Sequence, residues 1–194
     1  MRLGPKMNDS DDQLALRYRL QGDRSALSEL AVRYLPLFYR TARAMMLSHA
    51  QSEDISQEVM LKVIRSIDRF RGNSGFRAWS YTILLNTIRN ELRRKRIVSL
   101  VSSGEPFTEA TDGKVAPDFN SLQQESREQI ASAIARLTDH QRTALVLIHI
   151  EGLTAAEVAQ IEGCSVDSVY QRIAEAKRKL RNDASLRSLW LERG

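Results

Sequence analysis

Apolar residues recur at three- and four-residue intervals along most of this chain, the period of helices that each bury one face. A short helix is predicted over 12–20, stopped by Gly22. Asp23 then caps a longer one, striped by Leu27, Leu30, Ala31, Tyr34, Leu35 and Phe38. Pro36 falls inside that stretch and predicts a kink or local break. Ile55, Val59, Val63, Ile64 and Ile67 stripe a third helix over 52–70, and Arg71 to Gly75 read as a turn. A fourth helix, over 76–95, buries Trp79, Ile83, Leu84 and Ile88. The period is lost between Ile97 and Asn120, where Gly104, Pro106, Gly113 and Pro117 sit among Ser and Thr. Beyond this gap, Ile130, Ala133, Ile134 and Leu137 stripe a helix over 122–137. Thr138 or Asp139 caps the next, over 140–150, which Gly152 ends. Helices over 154–162 and 165–181 follow.

The expected architecture is all-α: two small helical bundles joined by a flexible linker. The expected division is 1–96, a linker at 97–121, a second bundle at 122–184 and a tail at 185–194. Aromatic content of 6%, with only Gly 9 and Pro 4, argues against an all-β alternative. The single cysteine, Cys164, excludes an internal disulfide and a cysteine-based metal site, and reads as a small residue in a turn or core. His49, His140 and His149 are scattered and read as structural or surface residues, so neither a metal nor a cofactor is expected. No apolar run approaches the roughly 18–20 residues needed to span a bilayer. Met1 to Asp12 lack the apolar stretch of a signal peptide, so a cytoplasmic protein without membrane insertion is expected. Met1 to Lys6 add no recognisable feature, which leaves Met7 as an alternative start.

The net charge of +5 permits a polyanionic partner, and the placement of the charge says more. Arg89, Arg93, Arg94, Lys95 and Arg96 oppose one acid, Glu91; Arg172, Lys177, Arg178, Lys179 and Arg181 oppose Glu175. Two separated basic clusters suit two contacts with nucleic acid, or two helix ends whose cations complement the C-terminal dipole. The second cluster follows a helix-turn-helix signature from Thr154 to Ile173. Ala159 is small where two helices cross, Gly163 supplies the positive φ of the turn, and Ser165 caps the second helix. Val166, Val169, Ile173, Ala176 and Leu180 form its inward stripe. Asp167, Ser168, Tyr170, Gln171, Ala174 and Glu175 then face outward, where a recognition helix meets base edges, with the following cations suited to phosphate. Glu162 is a misfit, acidic where such motifs usually hold an apolar residue.

Asp54, Gln57 and Glu58 lie at i, i+3 and i+4 and share one helix face. By themselves they read as a solvated acidic face, and acid–base catalysis lacks an accompanying nucleophile or His cluster, so no enzyme is expected. Their context is more specific. Ser52 to Trp79 contains Asp54-Ile-Ser-Gln-Glu58, then Phe70-Arg-Gly72, then Phe76-Arg-Ala-Trp79, and closely resembles the second conserved region of extracytoplasmic-function sigma factors. Asn86-Thr87 and Asn90 continue the match, and Gly22 to Leu30 resemble the family's opening helix. Leu137 to Leu147 and the helix-turn-helix resemble its fourth region. The resemblance spans roughly 12–184.

The resemblance implies an alternative sigma factor that binds core RNA polymerase through its β′ clamp and β subunit and directs promoter-specific initiation. A stress or envelope response is implied, with restraint by an anti-sigma factor that is often membrane-tethered. It assigns Asp54, Gln57, Glu58 and Arg65 to polymerase docking. Phe76, Trp79, Asn86, Arg89, Asn90, Arg93, Arg94 and Arg96 become candidates for the −10 element, although Phe76 and Trp79 also match the apolar stripe of the core. Ser165, Asp167, Ser168, Tyr170, Gln171, Arg172, Glu175, Lys177 and Arg178 become candidates for the −35 element. The reading face departs from the family, which often carries further Arg or Lys where this chain has Tyr170, Gln171 and Glu175. Gln suits adenine and Glu suits the cytosine amino group, while Glu175 also repels phosphate. The competing readings are a helix-turn-helix regulator acting without replacing the housekeeping sigma factor, which would not need the Asp54 helix, and an anti-sigma or other helical interaction protein, which should lack the basic recognition helix.

Overall fold

The computed structural model describes residues 9–72, 75–103, 129–184 and 186. Every described regular element is helical: α1 (Asp11–Gln21), α2 (Arg24–Ala44), α3 (His49–Ser66) with a 3₁₀ turn at Ile67–Arg69, and α4 (Phe76–Ser103). After a helical stretch at 129–135 come α5 (Asp139–His149), α6 (Ala155–Glu162) and α7 (Val166–Asn182).

Side-chain caps set most of these boundaries. Ser10, Ser48, Thr138 and Thr154 each cap a helix and form a reciprocal box with Gln13, Gln51, Gln141 and Glu157. Asp23 caps α2 by accepting from the backbone N–H groups of Ser25 and Ala26. The Ser25 hydroxyl and the Arg17 guanidinium hold the Asp23 carboxyl well below the usual carboxylate range. Asp12 of α1 accepts from the Phe76 N–H and so caps α4 from across the bundle.

Three features differ from the sequence expectation. Pro36 does not break α2, which runs from Arg24 to Ala44. Pro36 is exposed, so the carbonyl one turn back that its ring deprives of a donor is on the solvent side of the helix. The second difference is at the expected linker: α4 continues to Ser103, so 97–103 is helical. The rest of that segment, 104–121, lies outside the described residues, as do 122–128 and nearly all of the expected tail. Finally, Ile130 and Val166, assigned to inward stripes, are exposed. The stripe of α7 is instead Val169, Ile173 and Ala176.

The N-terminal core is built around rings. Tyr34 meets Phe76 edge-on at 5.0 Å, Phe76 meets Phe70 at 5.7 Å, and Phe38 meets Tyr81 at 6.1 Å. In the C-terminal half the largest buried side chain is an arginine. Arg142, 1% exposed, donates to the carbonyls of Ile134, Ala135 and Leu137 and thereby closes the end of the preceding helix.

The two halves are not separate bodies. The α4 helix packs on α6, α2 meets α5, and one hydrophobic cluster runs from Leu14 in α1 to Ile173 in α7. The expected pair of bundles is present, and they share a core.

Candidate functional site

The α3 helix turns Ile55, Val59, Met60 and Val63 into the core. That rotation leaves Asp54, Gln57, Glu58 and Arg65 exposed together along the opposite face. Glu58 pairs with Lys62 at 2.7 Å, and Lys62 donates onward to the Thr87 hydroxyl of α4 at 3.0 Å, tying this face to the neighbouring helix. Leu61 lies on the same face and is 50% exposed. The sequence reading omitted it, although its spacing of seven residues from Asp54 was the available signal.

Along α4 the buried positions Tyr81, Leu84, Leu85, Ile88 and Leu92 face the core. Asn86, Asn90 and Arg93 therefore line an exposed face at i, i+4 and i+7, with Arg94 exposed beside them. Asn90 and Arg93 hydrogen-bond at 3.2 Å, and Arg94 pairs with Glu91 at 2.9 Å. Nothing is described of the Arg96 side chain. Phe76 is a correction. At 1% exposure it is enclosed by Tyr34, Phe70 and Trp79, so it is core and does not reach a base here. Trp79 is half-buried against the same cluster and keeps one accessible side.

The helix-turn-helix has the anticipated backbone. Gly163 takes φ 63° and ends α6, and the Ser165 hydroxyl accepts from the Ser168 N–H to start α7. Asp167, Tyr170, Gln171, Glu175, Lys177 and Arg178 are all exposed along α7. Glu175 is engaged, however: it accepts from the Gln141 side chain of α5 at 2.7 Å. That bond gives the acid on the reading face a role within the domain.

Two carboxylates with fully enclosed side chains occupy the contact between the halves; the sequence marks Glu162 only as a misfit in its motif and gives no sign of Glu151. Glu151, in the turn between α5 and α6, accepts from Arg40 of α2 at 3.0 and 2.6 Å and from the Tyr81 hydroxyl of α4 at 2.7 Å. Arg77 of α4 donates to its backbone carbonyl. Burial pushes the Glu151 carboxyl up, but the hydrogen bonds from Arg40 and Tyr81 outweigh it and hold the group below its ordinary value. Burial, then the Glu151 bond, pushes the Tyr81 phenol far up. Glu162 ends α6 with its side chain sealed from solvent. It pairs with Arg89 of α4, with Arg172 of α7 at 3.2 Å, and lies 2.9 Å from the His140 ring. One carboxylate thus gathers a −10 candidate and a −35 candidate.

Among the described residues, no group of three His, Cys, Asp or Glu side chains is arranged to hold a metal ion, and no helix is long and apolar enough to cross a membrane.

Comparison with known proteins places both halves. Residues 30–97 match Sigma-70 region 2 and residues 127–180 match Sigma-70, region 4. The chain is 30% identical to the ECF RNA polymerase sigma-E factor of Escherichia coli (strain K12), over 88% of this chain and 93% of that protein. It is 29% identical to the RNA polymerase sigma-H factor of Pseudomonas aeruginosa, covering 95% and 97% of the two chains. Among solved structures, CnrH in complex with the cytosolic domain of CnrY aligns with a TM-score of 0.68 at 25% identity, covering 89% of this chain and 96% of that one. The sigma factor RpoE in complex with the anti-sigma factor NepR from Bartonella quintana aligns at 0.67 and 26% identity, covering 79% and 93%.

Proposed function

The chain belongs to the extracytoplasmic-function family of RNA polymerase sigma factors, and from that premise we propose how its surfaces divide the work of initiation. The face Asp54–Gln57–Glu58–Leu61–Arg65 docks on core polymerase, with β′ as the principal partner and Leu61 as an apolar centre in a charged patch. Such a patch favours fast, steered association and a partner that can later let go. Asn86, Asn90, Arg93 and Arg94 on α4 hold the opened −10 strand, amides toward bases and cations toward the backbone. The exposed face of α7 enters the major groove at the −35 element, with Tyr170 and Gln171 toward bases and Lys177 and Arg178 on phosphate. An anti-sigma factor is the fitting restraint, since the RpoE relative above is held in a complex with one.

The observation that carries this reading is the presence of two surfaces on one chain: an exposed charged face on α3 and a capped helix-turn-helix with a basic second helix. A regulator working through the helix-turn-helix alone has no use for the first. The test is reconstitution of the full chain with core polymerase on a genomic promoter library. Promoter-selective transcripts are expected. Asp54→Ala with Glu58→Ala should abolish them by loss of core binding, while Arg178→Ala should leave core binding intact and weaken promoter binding. A chain that never confers selectivity on core polymerase would sink the proposal.

A further inference from the structure

We infer that Glu151 and Glu162 form a two-point latch that holds the C-terminal domain on α2 and α4 and competes with promoter DNA for Arg89 and Arg172. The inference rests on the assignment of those two arginines to DNA made above. Its geometry does not. At the first point, a fork of two hydrogen bonds from Arg40 and a third from Tyr81 hold the Glu151 carboxylate. This is the arrangement by which a guanidinium fixes position as well as charge. At the second, Glu162 draws Arg89 out of α4 and Arg172 out of α7 onto one enclosed carboxylate. Each arginine gives one guanidinium nitrogen to the enclosed carboxylate and has part of its charge neutralised there, so phosphate at either promoter element competes with Glu162 for it. The acidic misfit in the helix-turn-helix has a use here: an apolar residue at 162 would leave Arg89 and Arg172 without this partner.

In this competition the open chain is the form that offers both arginines fully to DNA. Apparent affinity falls by the fraction of chains that are open. If about one chain in ten is open, release of the latch raises affinity about tenfold.

The test uses the full chain. Spin labels at Ser28→Cys and Gln160→Cys, on a Cys164→Ser background, report the distance between the halves by pulsed electron paramagnetic resonance. Binding of the unlabelled proteins to a fluorescent mixed-sequence duplex at low salt reports DNA affinity. One short distance is expected for the parent chain. Glu151→Gln with Glu162→Gln should give a longer, broader distribution and about tenfold tighter DNA binding. That gain must exceed the one from Glu53→Gln with Asp68→Asn, which removes two exposed acids and controls for net charge. Arg40→Gln breaks the first point from the exposed side of α2 and should open the chain in the same sense, which covers poor folding of the carboxylate variant. A double variant that keeps the short distance overturns the latch. Opening without tighter DNA binding overturns the competition. If Arg172→Ala then also binds DNA like the parent chain, the fault lies in its assignment to DNA.

Discussion

Arg142 provides the most quantitative handle on the C-terminal domain. Its guanidinium is enclosed, and Nε and Nη2 donate to three carbonyls, Ile134 at 3.3 Å, Ala135 at 3.0 Å and Leu137 at 3.3 Å. Hydrogen bonds to a charged group contribute roughly 1.5–3 kcal/mol each, so a naive sum is large. Much of it is offset, because removing the arginine also removes the cost of burying a cation. What remains is the loss of partners at a helix end, about 1–3 kcal/mol for each carbonyl that water does not reach, together with a void where the side chain was. Arg142→Ala should therefore cost about 2–4 kcal/mol. Arg142→Met keeps the stem and most of the volume, and should recover only about 1 kcal/mol of it. Native-state hydrogen exchange is the fitting assay, since it assigns the loss to amides of α5 and α6 while those of α1 to α3 keep their protection. A Met variant within about 0.5 kcal/mol of the parent would refute the reasoning, because packing alone would then account for the site.

Two further predictions concern the turn and the interdomain contact. Gly163→Ala meets no atom within 4 Å of its new Cβ, so its whole penalty is the left-handed backbone at φ 63°, about 1–2 kcal/mol in urea unfolding; a cost near zero would contradict the assigned turn. The pH dependence of closure follows from Glu151, which faces Arg40 from α2 and Arg77 and Tyr81 from α4. Its carboxyl is depressed in the closed chain from an ordinary value of 4.5, so its contribution is complete above that value and is lost as pH falls through the lower one. The label distance should hold from about pH 7 to about pH 5 and lengthen below about pH 4, and Glu151→Gln should remove that step; opening already at about pH 6 would point to a different group.

Helix ends were legible because caps are local. Asp23, Thr138, Gly163 and Ser165 each act within four residues of their own position, and each stands where the sequence pattern puts it. Features that depend on a distant partner were misjudged or missed. Pro36 looked like a break because the pattern does not show that it faces solvent. Phe76 carries a ring that suits a flipped base as well as a core, and only Tyr34, Phe70 and Trp79 around it decide between the two. Val166 fits the inward register of α7, yet it sits in the first turn, before the helix has reached its packing partner. Arg40 and Glu151 are 111 residues apart, and nothing in either neighbourhood points to the other.

Glu162 shows how a local misfit becomes informative. An acid in the apolar slot of a helix-turn-helix lowers the consistency of the motif, and such conflicts tend to collect at functional or strained sites. Burying a carboxylate there is unfavourable unless it is paired and hydrogen-bonded. Arg172 and the His140 ring, both in the C-terminal half, satisfy part of that demand, whereas Arg89 comes from a helix in the other half of the chain. The mixed origin matters. If Arg172 and His140 were its only partners, the domain would be complete in itself and indifferent to the N-terminal half. Because Arg89 supplies a further pairing from the other half, opening the chain breaks it, and DNA that engages Arg89 offsets that loss by giving the guanidinium another anion. The misfit is thus best explained by the interface between the domains, and the strength of the Arg89 pairing sets how readily promoter DNA opens the chain.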